Sequence, residues 1–171
     1  MTPYRLYFMQ LTYDGANYTL GSVKDTISEW NIVCSDSPNK VQGEMKELAT
    51  LDWIGEDGMD VYVPATPRLK TYDMQFKFLY EGTDANFTTN TRNFISYLRS
   101  KRLAFYESFT KIGRKEVVLT TFDPDVLVRK SVDNTSIMTF ALNFRIYDPV
   151  TDVVPTYSNS NGIITGLGWS S

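Results

Sequence analysis

Two stretches of strict alternation constrain this 171-residue chain more than any other feature. In the first, Tyr72, Met74, Phe76, Phe78 and Tyr80 take one side of an extended backbone, while Asp73, Gln75, Lys77 and Glu81 take the other. In the second, Met138, Phe140, Leu142, Phe144 and Ile146 alternate with Thr139, Ala141, Asn143 and Arg145. Successive side chains of a strand point to opposite faces, so this patterning predicts two long strands, each with one apolar face. Such a face must be buried against another layer. Any fold for this chain has to supply the cover.

The remaining segments indicate where that cover comes from. Tyr4 to Thr12 is dense in Tyr, Phe, Leu and Met without a helical stripe, which predicts a strand covered on both faces and ended by the Asp14-Gly15 turn. A further strand is expected around Trp30 to Cys34, closed by Ser35-Asp36-Ser37-Pro38-Asn39. One flanking helix is expected over about 88–102, capped by Thr88 or Thr89. Its apolar side is Phe94, Ile95, Tyr97 and Leu98, its polar side is Arg92, Asn93, Ser96 and Arg99, and Arg99, Lys101 and Arg102 complement its negative end. Leu103 to Thr110 and Glu116 to Phe122 read as a hairpin joined through Lys111 to Arg114. Asp123-Pro124-Asp125 is expected to break that run, which resumes over Val126 to Lys130 and turns at Val132-Asp133-Asn134.

Between Val41 and Lys70, Gly43, Gly55, Gly58, Pro64 and Pro67 interrupt scattered hydrophobics, which predicts a long loop or arm, such as a bent hairpin, over about 41–70. After Asp148-Pro149 the composition shifts to Thr, Ser, Asn and Gly. The expected organisation is one domain over 1–149 and an extended or partner-docked tail over 150–171. The fold class is α+β and mainly β: an antiparallel β-sandwich or barrel-like arrangement of sheets with one helix against it.

Chemistry is constrained mainly by what is missing. The chain has no histidine, which removes the commonest general base and the commonest transition-metal ligand. Cys34 is the single cysteine, so neither an intrachain disulfide nor a paired-cysteine zinc site can form. Asp52, Glu56, Asp57 and Asp60 do not follow the spacing of a calcium-binding loop, and Asp123 with Asp125 reads as a turn before it reads as a catalytic acid pair. No enzyme activity, metal or cofactor is expected. A net charge of −3 provides no global field for nucleic acid or anionic membranes. Arg99, Lys101, Arg102, Lys111, Arg114 and Lys115, interleaved with Phe105, Tyr106 and Phe109, are the one local pattern a single strand could use, and a solvated helix end and hairpin is the simpler account. Met1 to Leu11 lacks the character of an export leader, and no stretch approaches the roughly 18 apolar residues of a membrane span. Trp30, Trp53 and Trp169 leave open a carbohydrate-binding β-sandwich, in which flat rings stack on sugars.

Taken in order, Trp30-Asn31-Ile32-Val33, the run Asp52 to Gly58, and Arg68-Leu69-Lys70-Thr71-Tyr72 leading into a long strand resemble the amino-terminal domain of siphophage distal tail proteins. The resemblance continues through Phe94 to Leu98 and closes at Tyr147-Asp148-Pro149, although the family has proline and arginine where this chain has Ile54 and Glu56. Phage tail-tube proteins are similar in layout. The resemblance implies a structural protein of a phage or prophage tail, made in the host cytoplasm and carried in the virion. It implies a hexameric ring or tube segment that contacts other tail proteins and lets DNA pass without specific binding. The 41–70 arm would then dock on the neighbouring subunit, with Trp53, Ile54, Gly55, Gly58, Met59 and Tyr62 at the subunit interface.

Overall fold

The computed structural model describes residues 5–37, 43–54, 57–66, 68–130, 134–158 and 163–169, without the side chains of 123–130. The main body is one antiparallel sheet of seven strands. In chain order these are β1 (Leu6–Tyr13), β2 (Tyr18–Asp25), β3 (Ile32–Asp36), β6 (Tyr72–Thr83), β7 (Arg102–Glu107), β8 (Gly113–Lys130) and β9 (Thr135–Ile146). Their spatial order is β2-β1-β7-β8-β9-β6-β3. Two small hairpins are not hydrogen-bonded into that sheet, β4 (Ala49–Asp52) with β5 (Met59–Tyr62), and β10 (Val154–Tyr157) with β11 (Ile164–Gly168). Two helices complete the set, α1 (Thr26–Trp30) and α2 (Asp84–Arg99).

The two alternating stretches become β6 and β9, and they pair with each other without a break in register. Met74 lies opposite Phe144, Phe76 opposite Leu142 and Phe78 opposite Phe140, so their apolar rows merge into one surface. That surface is rolled. Phe8 of β1 stacks on Phe144 of β9 with ring centroids 5.8 Å apart, although β7 and β8 lie between those strands. In a flat sheet three strand spacings would separate them by about 14 Å.

Helix α2 fills the trough of the rolled sheet. Phe94 is fully buried, with ring centroids 5.1 Å from Trp30, 5.3 Å from Phe78 and 6.3 Å from both Phe8 and Phe140. The helix begins at Asp84, four residues before the earliest cap expected from the sequence, and ends at Arg99, before Lys101 and Arg102. Thr83, in extended conformation, makes no side-chain cap bond. The extra turn is held by tertiary contacts: Ser136 donates to Asp84, and the Phe87 ring sits edge-on 5.4 Å from Tyr80.

Three expectations are corrected. The 88–102 helix is not alone, because α1 joins β2 to β3. Asp25 caps it by accepting from the Ile27 N–H at 3.0 Å, and Asn31 ends it in the left-handed region at φ 60°. Trp30 therefore lies on a helix, and the strand expected around Trp30 to Cys34 starts at Ile32. Asp123-Pro124-Asp125 does not end its strand. The β8–β9 ladder runs past it with a bulge, Asp123 facing Ala141 and Leu127 facing Thr139, so that extra residues on one strand absorb the proline. Within the turn expected at Val132-Asp133-Asn134, only Asn134 is among the described residues, and it has φ 58°. Pro38 and Asn39 also lie outside them.

Strand β1 is covered on both faces, as its composition requires. Leu6 and Phe8 face the α2 side, while Tyr7, Met9 and Leu11 face a second cluster built with Ala104, Tyr106, Val153, Ile164 and Leu167. The last three of these come from the C-terminal segment, whose β10–β11 hairpin lies over the outer side of β1 and β7. Gly113 permits this approach. A Cβ there would sit 2.7 Å from the Phe105 carbonyl oxygen and 2.8 Å from the Val153 Cβ, closer than any side chain tolerates. No helix among the described residues is long and apolar enough to cross a membrane.

Candidate functional site

The arm leaves the body where β6 begins. Gly43 sits near Tyr72 and Pro149, the Lys46 N–H donates to the Arg68 carbonyl at 2.7 Å, and the Lys70 N–H donates to the Glu44 carbonyl at 2.7 Å. A single bridge between Met45 and Leu69 extends this neck. Beyond it β4 and β5 pair in register, Ala49 with Tyr62, Thr50 with Val61, Leu51 with Asp60 and Asp52 with Met59. The Asp57-Gly58 pair turns the chain back, with Gly58 at φ 100°, a conformation that favours glycine.

Alternation then distributes the side chains over two faces. Leu51, Trp53, Asp60 and Tyr62 share one, where the Trp53 indole N–H donates to Asp60 Oδ2 at 3.0 Å. Met59, Val61 and Val63 lie on the other. Every residue of β4 and β5 is exposed, including Leu51, Met59 and Val61, and so is Ile54 at the turn. Trp53 is 51% exposed and Tyr62 69%. A hairpin with solvent on both faces is marginal by itself in water, because burial of a sheet face is what stabilises strands. Clustered exposed apolar side chains of this kind make the hairpin the candidate interaction site.

Of the residues expected at a subunit interface, the structure gathers Trp53, Ile54, Gly58, Met59 and Tyr62 on this hairpin. Gly55 lies outside the described residues. Sequence reasoning missed Leu51, Val61 and Val63, which are equally exposed. The recurrence of Met59, Val61 and Val63 at every second position was a signal for the two valines, but it is short and flanked by turn formers.

Other groupings that looked chemical in the sequence disperse. Arg114 is buried in an ion pair with Asp152, Lys115 pairs with Asp148 at 3.3 Å and lies over the Trp169 ring, and Arg102 reaches Glu116 at 3.7 Å. Phe105 and Tyr106 are buried, so no continuous basic and aromatic surface forms there. Among the described residues no three acidic or cysteine side chains converge as metal ligands; Glu56 and the side chains of Asp123 and Asp125 are not among them. Cys34 lines a cavity of about 240 Å³ with Asp36, Glu107 and Thr110. Burial, helped by the Glu107 carboxylate, pushes its thiol up to about 12, which keeps it protonated and poorly nucleophilic. Trp30 is buried and Trp169 packs edge-on against Tyr18, which leaves Trp53 as the exposed tryptophan among the three.

No protein-family model matches the chain, and no curated protein matches it by sequence. Among solved structures it is similar in fold to the SPP1 Dit (gp 19.1) protein, described as a paradigm of the hub adsorption apparatus in phages that infect Gram-positive hosts. The TM-score is 0.51 at 14% sequence identity, and the match covers 86% of this chain. It spans 52% of the Dit chain, about half of that protein's length.

Proposed function

We propose that this chain is a structural, non-enzymatic component of a phage or prophage tail, residing in the virion and assembling with copies of itself and with other tail proteins. In this reading it forms a ring at the tail tip or a segment of the tail tube, with DNA passing through without specific binding. The observation that carries the proposal is the exposed apolar hairpin, with Leu51, Trp53, Ile54, Met59 and Tyr62 presented to solvent on a well-packed body. The fold likeness to SPP1 Dit agrees with it. Closure into a ring also occupies the exposed edge strand β2, which otherwise offers unpaired backbone to any passing strand.

The test is mass in solution, by light scattering after size exclusion over a range of concentrations, with negative-stain imaging of large species. Rings or tubes built on about six copies are the expected result. A strict monomer at every concentration would overturn the proposal. A second reading, sugar binding, draws on Trp53 and Tyr62 sharing one hairpin face. Saturable quenching of tryptophan fluorescence by oligosaccharides, lost in Trp53→Ala, together with a monomeric mass, would favour it instead.

A further inference from the structure

Along the junction of α2 with β8 runs an open groove of about 570 Å³ lined by Arg92, Ile95, Ser96, Arg99 and Ser100 of the helix end and Phe122 of the strand. Arg92, Ile95, Ser96 and Arg99 follow the helical spacing that puts residues on one face, opposite the inward Phe94 and Leu98. Arg92 and Arg99 are exposed and have no ion-pair partner among the described residues. Ile95 and Phe122 are half-buried and form an apolar floor between the two charges. None of the lining residues comes from the arm.

The arm has the complementary character. Residues 51–63 hold Asp52, Glu56, Asp57 and Asp60 and no Lys or Arg. Leu51, Trp53, Ile54, Met59 and Tyr62 are exposed on the hairpin that carries Asp52, Asp57 and Asp60, and Asp52 and Asp57 have no ion-pair partner among the described residues. Arg92 and Arg99 stand about 10 Å apart along the helix. The four-residue strands of the hairpin are about 13 Å long, a matching span.

We infer that the acidic, apolar arm of one copy seats in the Arg92–Arg99 groove of a second copy, an inference that rests on the self-assembly reading above. The apolar residues of the arm cover Ile95 and Phe122, and its carboxylates pair with the two guanidiniums. Opposite charges at the rim select register and speed encounter, while apolar burial holds the complex. Repeated from copy to copy, this arm-to-groove contact is heterologous, the type that generates rings or filaments.

Charge reversal tests the contact. Arg92→Glu with Arg99→Glu, and separately Asp52→Lys with Asp57→Lys, should each raise the concentration at which the protein assembles by roughly tenfold or more, since like charges then face each other. All four substitutions in one chain should restore assembly. Ser96→Trp, which fills the groove without changing charge, should also weaken it. Thermal melts of each variant establish that the body is folded, as expected for exposed positions. An equimolar mixture of Asp57→Cys and Ser96→Cys chains should give a mixed disulfide under mild oxidation, with the buried Cys34 silent.

If the wild type assembles but the reversals leave it unmoved, or the fourfold variant fails to recover, or no mixed disulfide forms, the groove assignment falls and the ring reading stands. If the wild type never assembles, both fall. If duplex DNA binds the wild type and Arg92→Glu with Arg99→Glu removes that binding while assembly persists, the groove belongs to nucleic acid and the inference is overturned.

Discussion

Trp53→Ala combined with Tyr62→Ala should abolish assembly at micromolar concentration and leave the fold untouched. Trp53 is 51% exposed and Tyr62 69%, so each has on the order of 100–150 Å² still to bury. At about 25 cal/mol per Å² that burial is about 2.5–4 kcal/mol per ring as an upper bound. Ordering the arm and desolvating Asp60 consume part of it, leaving a truncation cost of about 3 kcal/mol for the pair. That corresponds to a weakening of association by on the order of a hundredfold. Neither ring belongs to the two buried clusters, so the cost to subunit stability should stay within about 0.5 kcal/mol. The assay is a light-scattering concentration series on wild type and variant, beside urea melts at a concentration where both are monomeric. A urea midpoint that drops sharply would mean the arm packs within its own subunit. An unchanged association curve would mean these rings are not at the interface. Either result rules out Trp53 and Tyr62 as the anchors of self-association.

Phe94→Ala should behave in the opposite way, destabilising the body by about 3–5 kcal/mol, because the cavity opens among Phe8, Trp30, Phe78 and Phe140; urea unfolding of the monomer measures it. Cys34 should resist thiol reagents at pH 8 in the native protein and react promptly in urea, because burial raises its pKa. The sign follows from proton uptake: above about pH 9 the unfolded thiol ionises while the folded one stays protonated, so its contribution to stability falls as pH rises from there towards 12. A chain ending at residue 149 removes Val153, Ile164 and Leu167 from the outer face of β1 and β7 and exposes Tyr7, Met9 and Tyr106. It should lose at least about 3 kcal/mol and aggregate, measured by thermal melting and turbidity.

Legibility in the sequence followed how local each signal was. The alternation of Tyr72 to Glu81 and of Met138 to Ile146 is set by the two-residue repeat of an extended chain, and it located β6 and β9 without reference to any partner. The two-sided apolar character of β1 predicted its double cover for the same reason. The arm was legible as an interruption by Gly43, Gly58 and Pro64, although its hairpin register was not. The early start of α2 was hidden because Asp84 and Phe87 are fixed by Ser136 and Tyr80, which are distant from or outside the helix. Helix α1 was hidden because five residues hold too few apolar positions to show a stripe.

The order of residues alone was enough to locate β1, β6, β9 and the long helix, and having no histidine and one cysteine it excludes histidine catalysis and an intrachain disulfide. Packing between distant segments set the rest: the sheet rolls until Phe8 meets Phe144 across two intervening strands, the C-terminal hairpin covers β1, and Trp53 and Tyr62 are exposed while Trp30 is not. The division follows the range over which each force acts. Backbone stereochemistry and side-chain alternation act within a few residues and are written along the chain. Burial depends on which apolar faces meet, and that is settled by pairing between segments many residues apart.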